Sequence, residues 1–111
     1  MKELTKAEET ILLAIWRLGK DAYGVTIKNQ IKKTTKREYL YSTLYTTLEQ
    51  LVSKGFIDKR FGKPSAVRGG KRKIFFDLTE EGFEALKKSY QTHQSMWDGI
   101  TEESFNKSIV Q

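Results

Sequence analysis

Residues 39–57, reading Y-L-Y-S-T-L-Y-T-T-L-E-Q-L-V-S-K-G-F-I, constrain the fold more than any other part of the chain. Placed on a helix at about 100° per residue, Leu44, Leu48, Leu51 and Val52 share one face, with Tyr41 and Tyr45 at its border. Ser42, Thr43, Thr46, Gln50 and Ser53 fall on the other face, which has no carboxylate near its centre. Short hydroxyls and one amide are too weakly charged for a face whose only task is solubility. They suit a helix lying close to base edges and phosphates. Lys54 matches the negative end of the helix dipole and Gly55 the left-handed turn, so together they end the helix. Directly afterwards the hydrophobic period changes from helical to alternating, and the helix has to share a small core with strands.

Two earlier segments read as helices that pack against this one. Thr5-Lys6-Ala7-Glu8 is a capping box, in which the Thr5 oxygen accepts from the Glu8 amide and Glu8 reaches back to the Thr5 amide. Ile11, Leu12, Ile15 and Leu18 follow at helical spacing and Gly19 supplies the stop, with Trp16 beside the stripe as a core or interface aromatic. After the turn at Gly19-Lys20-Asp21, Tyr23-Gly24 open a second helix expected to carry Val25, Ile27 and Ile31 inward and Lys28, Lys32 and Lys33 outward. Thr34-Thr35-Lys36-Arg37 is a polar connector to the hydroxyl-faced helix. Two short helices joined in this way resemble a helix-turn-helix pair.

Past Gly55, residues 56–61 (F-I-D-K-R-F) and 73–78 (K-I-F-F-D-L) are rich in β-branched and aromatic residues and read as two antiparallel strands. The connection over residues 62–72 is long for a hairpin and holds the only proline. From position 59 to 73 there are seven basic residues, Lys59, Arg60, Lys63, Arg68, Lys71, Arg72 and Lys73, and no acidic one. Glycines there let backbone approach a ligand closely, and Arg and Lys neutralise phosphates or enter a minor groove. Gly69-Gly70-Lys71-Arg72 lacks the G-x-x-x-x-G-K-[ST] spacing and opens no helix, which argues against a nucleotide cradle.

Composition narrows the function classes. The 111 residues fit one domain with a modest core, and 20 Lys plus Arg against 14 Asp plus Glu give a formal charge of +6, suited to a polyanionic partner. With no cysteine and one histidine, disulfides, thiolate metal sites and histidine clusters are excluded, and nucleophilic catalysis has little to work with. No catalytic residue, metal ligand or cofactor is expected. No apolar run approaches the roughly 20 residues needed to span a bilayer and no signal-peptide apolar region follows Met1, so a soluble cytoplasmic protein with no membrane partner is expected.

The last helix begins at Thr79, with Glu80, Glu81 and Glu84 well placed in its first turns. Phe83, Leu86, Tyr90, His93, Trp97 and Ile100 then follow in steps of 3, 4, 3, 4 and 3, the a/d spacing of a coiled-coil seam. A lone helix on so small a domain cannot leave that stripe in water, so it is expected to pack on the same helix of a second subunit, with Met96 and the first helix filling the flanks. The other outcome is packing back onto its own domain. Trp16, Tyr90, Met96 and Trp97 would also suit an apolar cavity that takes a planar apolar or cationic compound.

Three helices, a basic two-stranded hairpin and a long amphipathic helix are the order of a winged helix-turn-helix with a dimerisation arm. The expected class is mainly α with a small β-hairpin: a winged helix-turn-helix over residues 1–79, a dimerisation helix over 80–100 and a polar tail over 101–111. The chain resembles the PadR-like family of bacterial transcriptional regulators, in its short form with one C-terminal helix. The resemblance rests on Ala22-Tyr23-Gly24, on Ser42-Thr43-Leu44-Tyr45 with Leu48 and Leu51, and on Lys54-Gly55-Phe56-Ile57. Arg68-Gly69-Gly70-Lys71-Arg72-Lys73-Ile74-Phe75 and Leu78-Thr79-Glu80-Glu81-Gly82 complete it. It implies a homodimer that binds a palindromic double-stranded operator and represses transcription, in some members released by a small-molecule effector. DNA contacts are then expected from Tyr41, Ser42, Thr43, Tyr45, Thr46 and Gln50 on the third helix and from Lys63, Arg68, Lys71, Arg72 and Lys73 on the wing. Trp16, Leu86, Tyr90, His93, Met96, Trp97 and Ile100 are expected at the dimer interface or around a ligand.

Overall fold

Helix α1 (Lys6–Leu18) begins at the reciprocal cap expected of Thr5 and Glu8: the Glu8 amide donates to Thr5 Oγ1 at 3.1 Å and the Thr5 amide to Glu8 Oε1 at 2.9 Å. A single 3-10 turn, Gly19–Asp21, leads into α2 (Gly24–Thr35). There Thr26 Oγ1 accepts from the Tyr23 amide at 2.9 Å and so satisfies one of the first donors. Helix α3 (Tyr41–Ser53) follows, then the antiparallel strands β1 (Ile57–Pro64) and β2 (Arg72–Leu78), α4 (Glu80–Met96) and a 3-10 turn at Glu102–Asn106. The computed structural model describes residues 3–64 and 72–106.

One core joins the four helices and the two strands. Ile11, Leu12 and Ile15 of α1, Ile27 and Ile31 of α2, and Leu44, Leu48 and Leu51 of α3 are buried together with Phe56, Ile57, Phe76, Ala85 and Leu86. The strands pair in the register Ile57↔Leu78 through Phe61↔Ile74, with a shift between Phe61 and Pro64. The Phe76 amide donates to Ala22 O at 2.8 Å, and Tyr23 forms an isolated antiparallel bridge with Phe75, so the start of α2 is stitched to the hairpin. At the other end of β2, Thr79 caps α4 by accepting from the Gly82 amide at 3.0 Å, while its hydroxyl donates to Gly55 O at 2.7 Å. Gly82 lets α4 lie against the hairpin base, because a Cβ there would stand 2.2 Å from Phe56 O.

Glu8 adds a polar link across this core. Its buried carboxylate pairs through Oε2 with Lys54 Nζ, joining the start of α1 to the end of α3. Burial pushes the Glu8 carboxyl up, but the hydrogen bond and charge of Lys54 and the hydrogen bonds from Thr5 outweigh it, and the net shift is downward.

Several expectations need correction. Val25 is exposed: it lies two positions before Ile27, about 200° around the helix, and points away from the core. Thr47 is buried instead, its hydroxyl satisfied by Thr43 O at 3.0 Å, so the inward face of α3 includes a polar residue. The last helix ends at Met96, with Trp97 as its cap and Gly99 in the left-handed region at φ +80°, so Ile100 stands beyond the helix. The heptad seam is also divided. Leu86 is buried in its own domain's core, whereas Phe83 and Tyr90 are exposed. Among the described residues no helix is long and apolar enough to cross a membrane.

Candidate nucleic-acid interface

Helix α3 is held by its buried leucines so that Tyr41, Ser42, Thr43, Tyr45, Thr46 and Gln50 all face outward. Its N-cap is Leu40, 71% exposed and without a side-chain hydrogen bond to the first turn. The opening amides of α3 are therefore left for an outside acceptor. Thr46 Oγ1 donates to Ser42 O at 2.8 Å, which spends its proton and leaves the hydroxyl as an acceptor on that face.

Aromatic rings and cations connect this face to α2 and to the hairpin. Lys28 Nζ lies 5.3 Å from the centroid of the Tyr41 ring, and Tyr41 stacks on Tyr45 at 6.2 Å and 24°. Tyr45 rests its hydroxyl on the backbone of Gly24, where a Cβ would come within 2.0 Å of the oxygen. Beside it, Tyr23 packs edge-on to Phe75 at 5.4 Å and carries Lys73 Nζ 4.2 Å above its ring. Tyr23, Gly24, Val25, Tyr45, Arg72, Lys73 and Ile74 line a shallow cleft of about 200 Å³. The fold thus brings Tyr41 and Tyr45 of the expected set together with Arg72 and Lys73. Lys63 lies farther along the hairpin, within the register shift between Phe61 and Pro64. Arg68 and Lys71 lie outside the described residues.

A second surface lies between α1 and α4. Leu13, Trp16, Phe83, Leu86, Tyr90 and His93, with Glu9 and Lys87 at its edges, line an open cleft of about 470 Å³. Trp16 is 53% exposed and meets Phe83 edge to face at 5.3 Å, and Ser89 Oγ donates to Glu9 Oε2 at 2.6 Å, fastening the two helices. Of the residues expected at an interface or ligand site, Trp16, Leu86, Tyr90 and His93 share this cleft. Met96 lines a smaller one with Leu4 and Thr92 on the other flank of α4. Trp97 turns onto His93 and Phe105, at 5.9 and 6.0 Å, and Ile100 lines neither cleft.

The model of the transcriptional regulator PadR-like family matches residues 11–88. The chain belongs to that family. No curated protein sequence matches it. A PadR family transcription regulator from hypervirulent Clostridium difficile R20291 superposes with a TM-score of 0.73 at 23% identity, over 93% of this chain and 100% of that one. RosR of H. salinarum gives 0.69 at 23% identity over 95% and 87%. BpsR of Bordetella bronchiseptica, whose DNA binding is regulated by 6-hydroxynicotinic acid, gives 0.64 at 18% identity over 94% and 73%. At these identities the three likenesses concern the fold.

Within this PadR-like fold the cations divide into two groups. Arg60 forks onto Asp77 at 2.9 and 3.2 Å and donates to Lys20 O at 3.0 Å, and the Asp77 hydrogen bond raises its pKa. Lys59 pairs with Glu49 of α3 at 2.8 Å. Both brace the hairpin against its neighbours. Among the described residues, Lys63, Arg72 and Lys73 form no ion pair. Tyr23, Lys28 and Leu13 were not singled out as site residues by sequence. The Tyr23-Gly24 pair at a helix start hinted at the first, and Leu13 three positions before Trp16 at the last.

Proposed function

We propose that this PadR-like protein binds double-stranded operator DNA as a homodimer and represses transcription in the cytoplasm. The carrying observation is the outward hydroxyl face of α3, continuous through Tyr41 and Tyr45 with Arg72 and Lys73 of the hairpin. In this reading the first turns of α3 enter the major groove, Ser42, Thr43 and Thr46 lie nearest the bases, and Gln50 reads an adenine or holds a phosphate. Lys63, Arg72 and Lys73 meet phosphates or the minor groove, with Arg68 and Lys71 as further contacts of the same wing. Short hydroxyls discriminate bases poorly, so selectivity also comes from DNA shape and from two half-sites of a palindrome about 34–36 Å apart. The cleft on α1 and α4 supports pairing of two copies, since Trp16, Phe83 and Tyr90 form a contiguous apolar surface.

Selection of bound duplexes from a random pool at fixed salt tests this directly, with recovered palindromes as the expected result. On the selected operator, log affinity should fall with log salt at about 0.9 per phosphate neutralised. Arg72→Ala weakens binding to every sequence, whereas Thr46→Val changes the preferred sequence. Unselective recovery, a flat salt dependence, or no effect of either substitution would count against the reading.

A second reading concerns ligand control. The aromatic walls and apolar floor of the α1–α4 cleft favour a planar apolar or cationic effector. Titration with planar cationic dyes should quench tryptophan fluorescence, and a Trp16→Leu variant should lose most of the response. Unchanged fluorescence at micromolar dye would end it.

A further inference from the structure

Glu38 stands in the connector between α2 and α3, three residues before Tyr41, the first residue of α3. Its two carboxylate oxygens accept from different lysines: Oε1 from Lys28 Nζ and Oε2 from Lys32 Nζ, each at 2.8 Å. Lys28 and Lys32 are one turn apart on α2, so their ammonium groups present two donors to the two oxygens of a single anion. Lys28 is also the cation above Tyr41, at the end of the aromatic row that runs to Tyr45 and the hairpin. The Glu38 side chain is 59% exposed, and among the described residues these two lysines are its only side-chain partners. The hydrogen bonds from Lys28 and then Lys32 hold its carboxyl down to about 2, so it is an anion throughout the neutral range.

A carboxylate and a phosphodiester are alike in what they offer here: one negative charge and two terminal oxygens. The place is equally suggestive, because a helix that enters a groove by its first turn has backbone phosphates beside that turn. We propose that Glu38 is an internal counter-ion occupying the position of a DNA backbone phosphate on Lys28 and Lys32, which the duplex must displace when it binds. The inference rests on the operator-binding reading above and adds a term to it. The free protein keeps two of its cations satisfied, so its affinity for arbitrary DNA is lower than its 20 Lys plus Arg suggest.

The test uses the full-length protein and a labelled duplex of random sequence, followed by fluorescence anisotropy across a salt series. Glu38→Gln should tighten binding about two- to tenfold, the range expected for removing competition from two exposed ion pairs. Glu38→Asp, too short to span both lysines, should give a smaller gain. The Lys28→Gln/Lys32→Gln double variant should bind more weakly, with a salt slope shallower by about 0.9, the value for the one phosphate that the two lysines no longer neutralise. Adding Glu38→Gln to that double variant should produce no further gain.

Three results overturn the proposal: affinity unchanged or weakened by Glu38→Gln in a variant that melts like the parent, the same gain with both lysines absent, or a full salt slope in the double variant. The second would mean that Glu38 merely repels DNA without screening the lysines. Failure of the operator reading looks different. In that case the parent and every variant lack salt-dependent binding to any duplex, and the counter-ion proposal falls with it.

Discussion

Glu8 is buried where water cannot compensate it, while its partner Lys54 keeps more than a third of its side-chain surface in solvent (3% against 37%). The two single substitutions should therefore differ. Glu8→Gln keeps the length and the acceptor that the Thr5 amide needs, so the capping box survives and only the charge is removed. Cutting a fully buried pair on one side costs about 3–5 kcal/mol. Here the orphaned lysine can rehydrate, so the cost is discounted to about 1–2 kcal/mol. Lys54→Met instead leaves the carboxylate buried without its cation and should cost about 3 kcal/mol at pH 7. The pH dependence separates them further. The folded Glu8 pKa lies below its ordinary value of 4.5, so the stabilisation by the pair is fully present above that value and is lost as pH falls through the folded one. The gap between parent and Glu8→Gln should then close as pH falls below 4.5 and through the lowered folded value. In Lys54→Met, burial acts with less opposition, so protonation relieves the defect and its deficit should also shrink, from a larger starting value. Urea unfolding by far-UV circular dichroism at fixed protein concentration measures all three. A Glu8→Gln deficit that stays constant as pH falls from 7 into the acid unfolding range, or a Lys54→Met variant more stable than Glu8→Gln at pH 7, would refute the reasoning.

Two further substitutions test backbone and packing. Gly82→Ala should gain helix propensity of about 1 kcal/mol yet lower stability overall by about 1–3 kcal/mol, because the new methyl meets the Phe56 carbonyl at 2.2 Å rather than a yielding side chain. A higher melting temperature would show that α4 can move off the hairpin freely. Lys36 ends α2 in the left-handed region at φ 65°, so Lys36→Gly should raise stability by about 0.5–1 kcal/mol, read as a raised urea midpoint with an unchanged slope. A lowered midpoint would mean that the lysine makes a compensating contact.

What could be read in advance was what local chemistry decides. Thr5 with Glu8, Thr79, and the Gly55 turn fix helix ends through bonds that span only a few residues, and those ends stand where the sequence puts them. Val25 is apolar at a helix start yet faces outward, because its place on the helix, opposite Ile27, and not its residue type decides what covers it. The heptad of α4 misled in a different way. Spacing tells which residues share a side of a helix, but not whether the covering surface is the chain's own core, as for Leu86, or none among the described residues, as for Tyr90. It also continues across Trp97 and Gly99, where the backbone has already left the helix. The row from Lys28 through Tyr41 and Tyr45 to Gly24 and Lys73 was invisible for a plainer reason. It is made by three elements meeting, and Lys28 and Lys73 have no relation in sequence that any period could reveal.

Helix α1 belongs to both surfaces of the molecule. Its buried side, Ile11, Leu12 and Ile15, is packed in the same core as α2 and α3, while Leu13 and Trp16 face the cleft shared with α4. Polar bonds fasten it at each side: Glu8 to Lys54 at the end of α3, and Glu9 to Ser89 in the middle of α4. Close-packed cores transmit displacement rather than absorb it. In the homodimer proposed above, the cleft would set the angle between two copies, and α1 would carry that angle to each α3 as a rigid strut. A compound lodged against Trp16 and Phe83 would then need no contact with the DNA-facing residues to act on binding. It would need only to favour an angle at which the two α3 helices no longer match half-sites about 34–36 Å apart. The same geometry explains why loosening Glu8 from Lys54 should lower operator affinity by more than its distance from α3's hydroxyl face suggests: the bond it removes is one of the two that make α1 a strut.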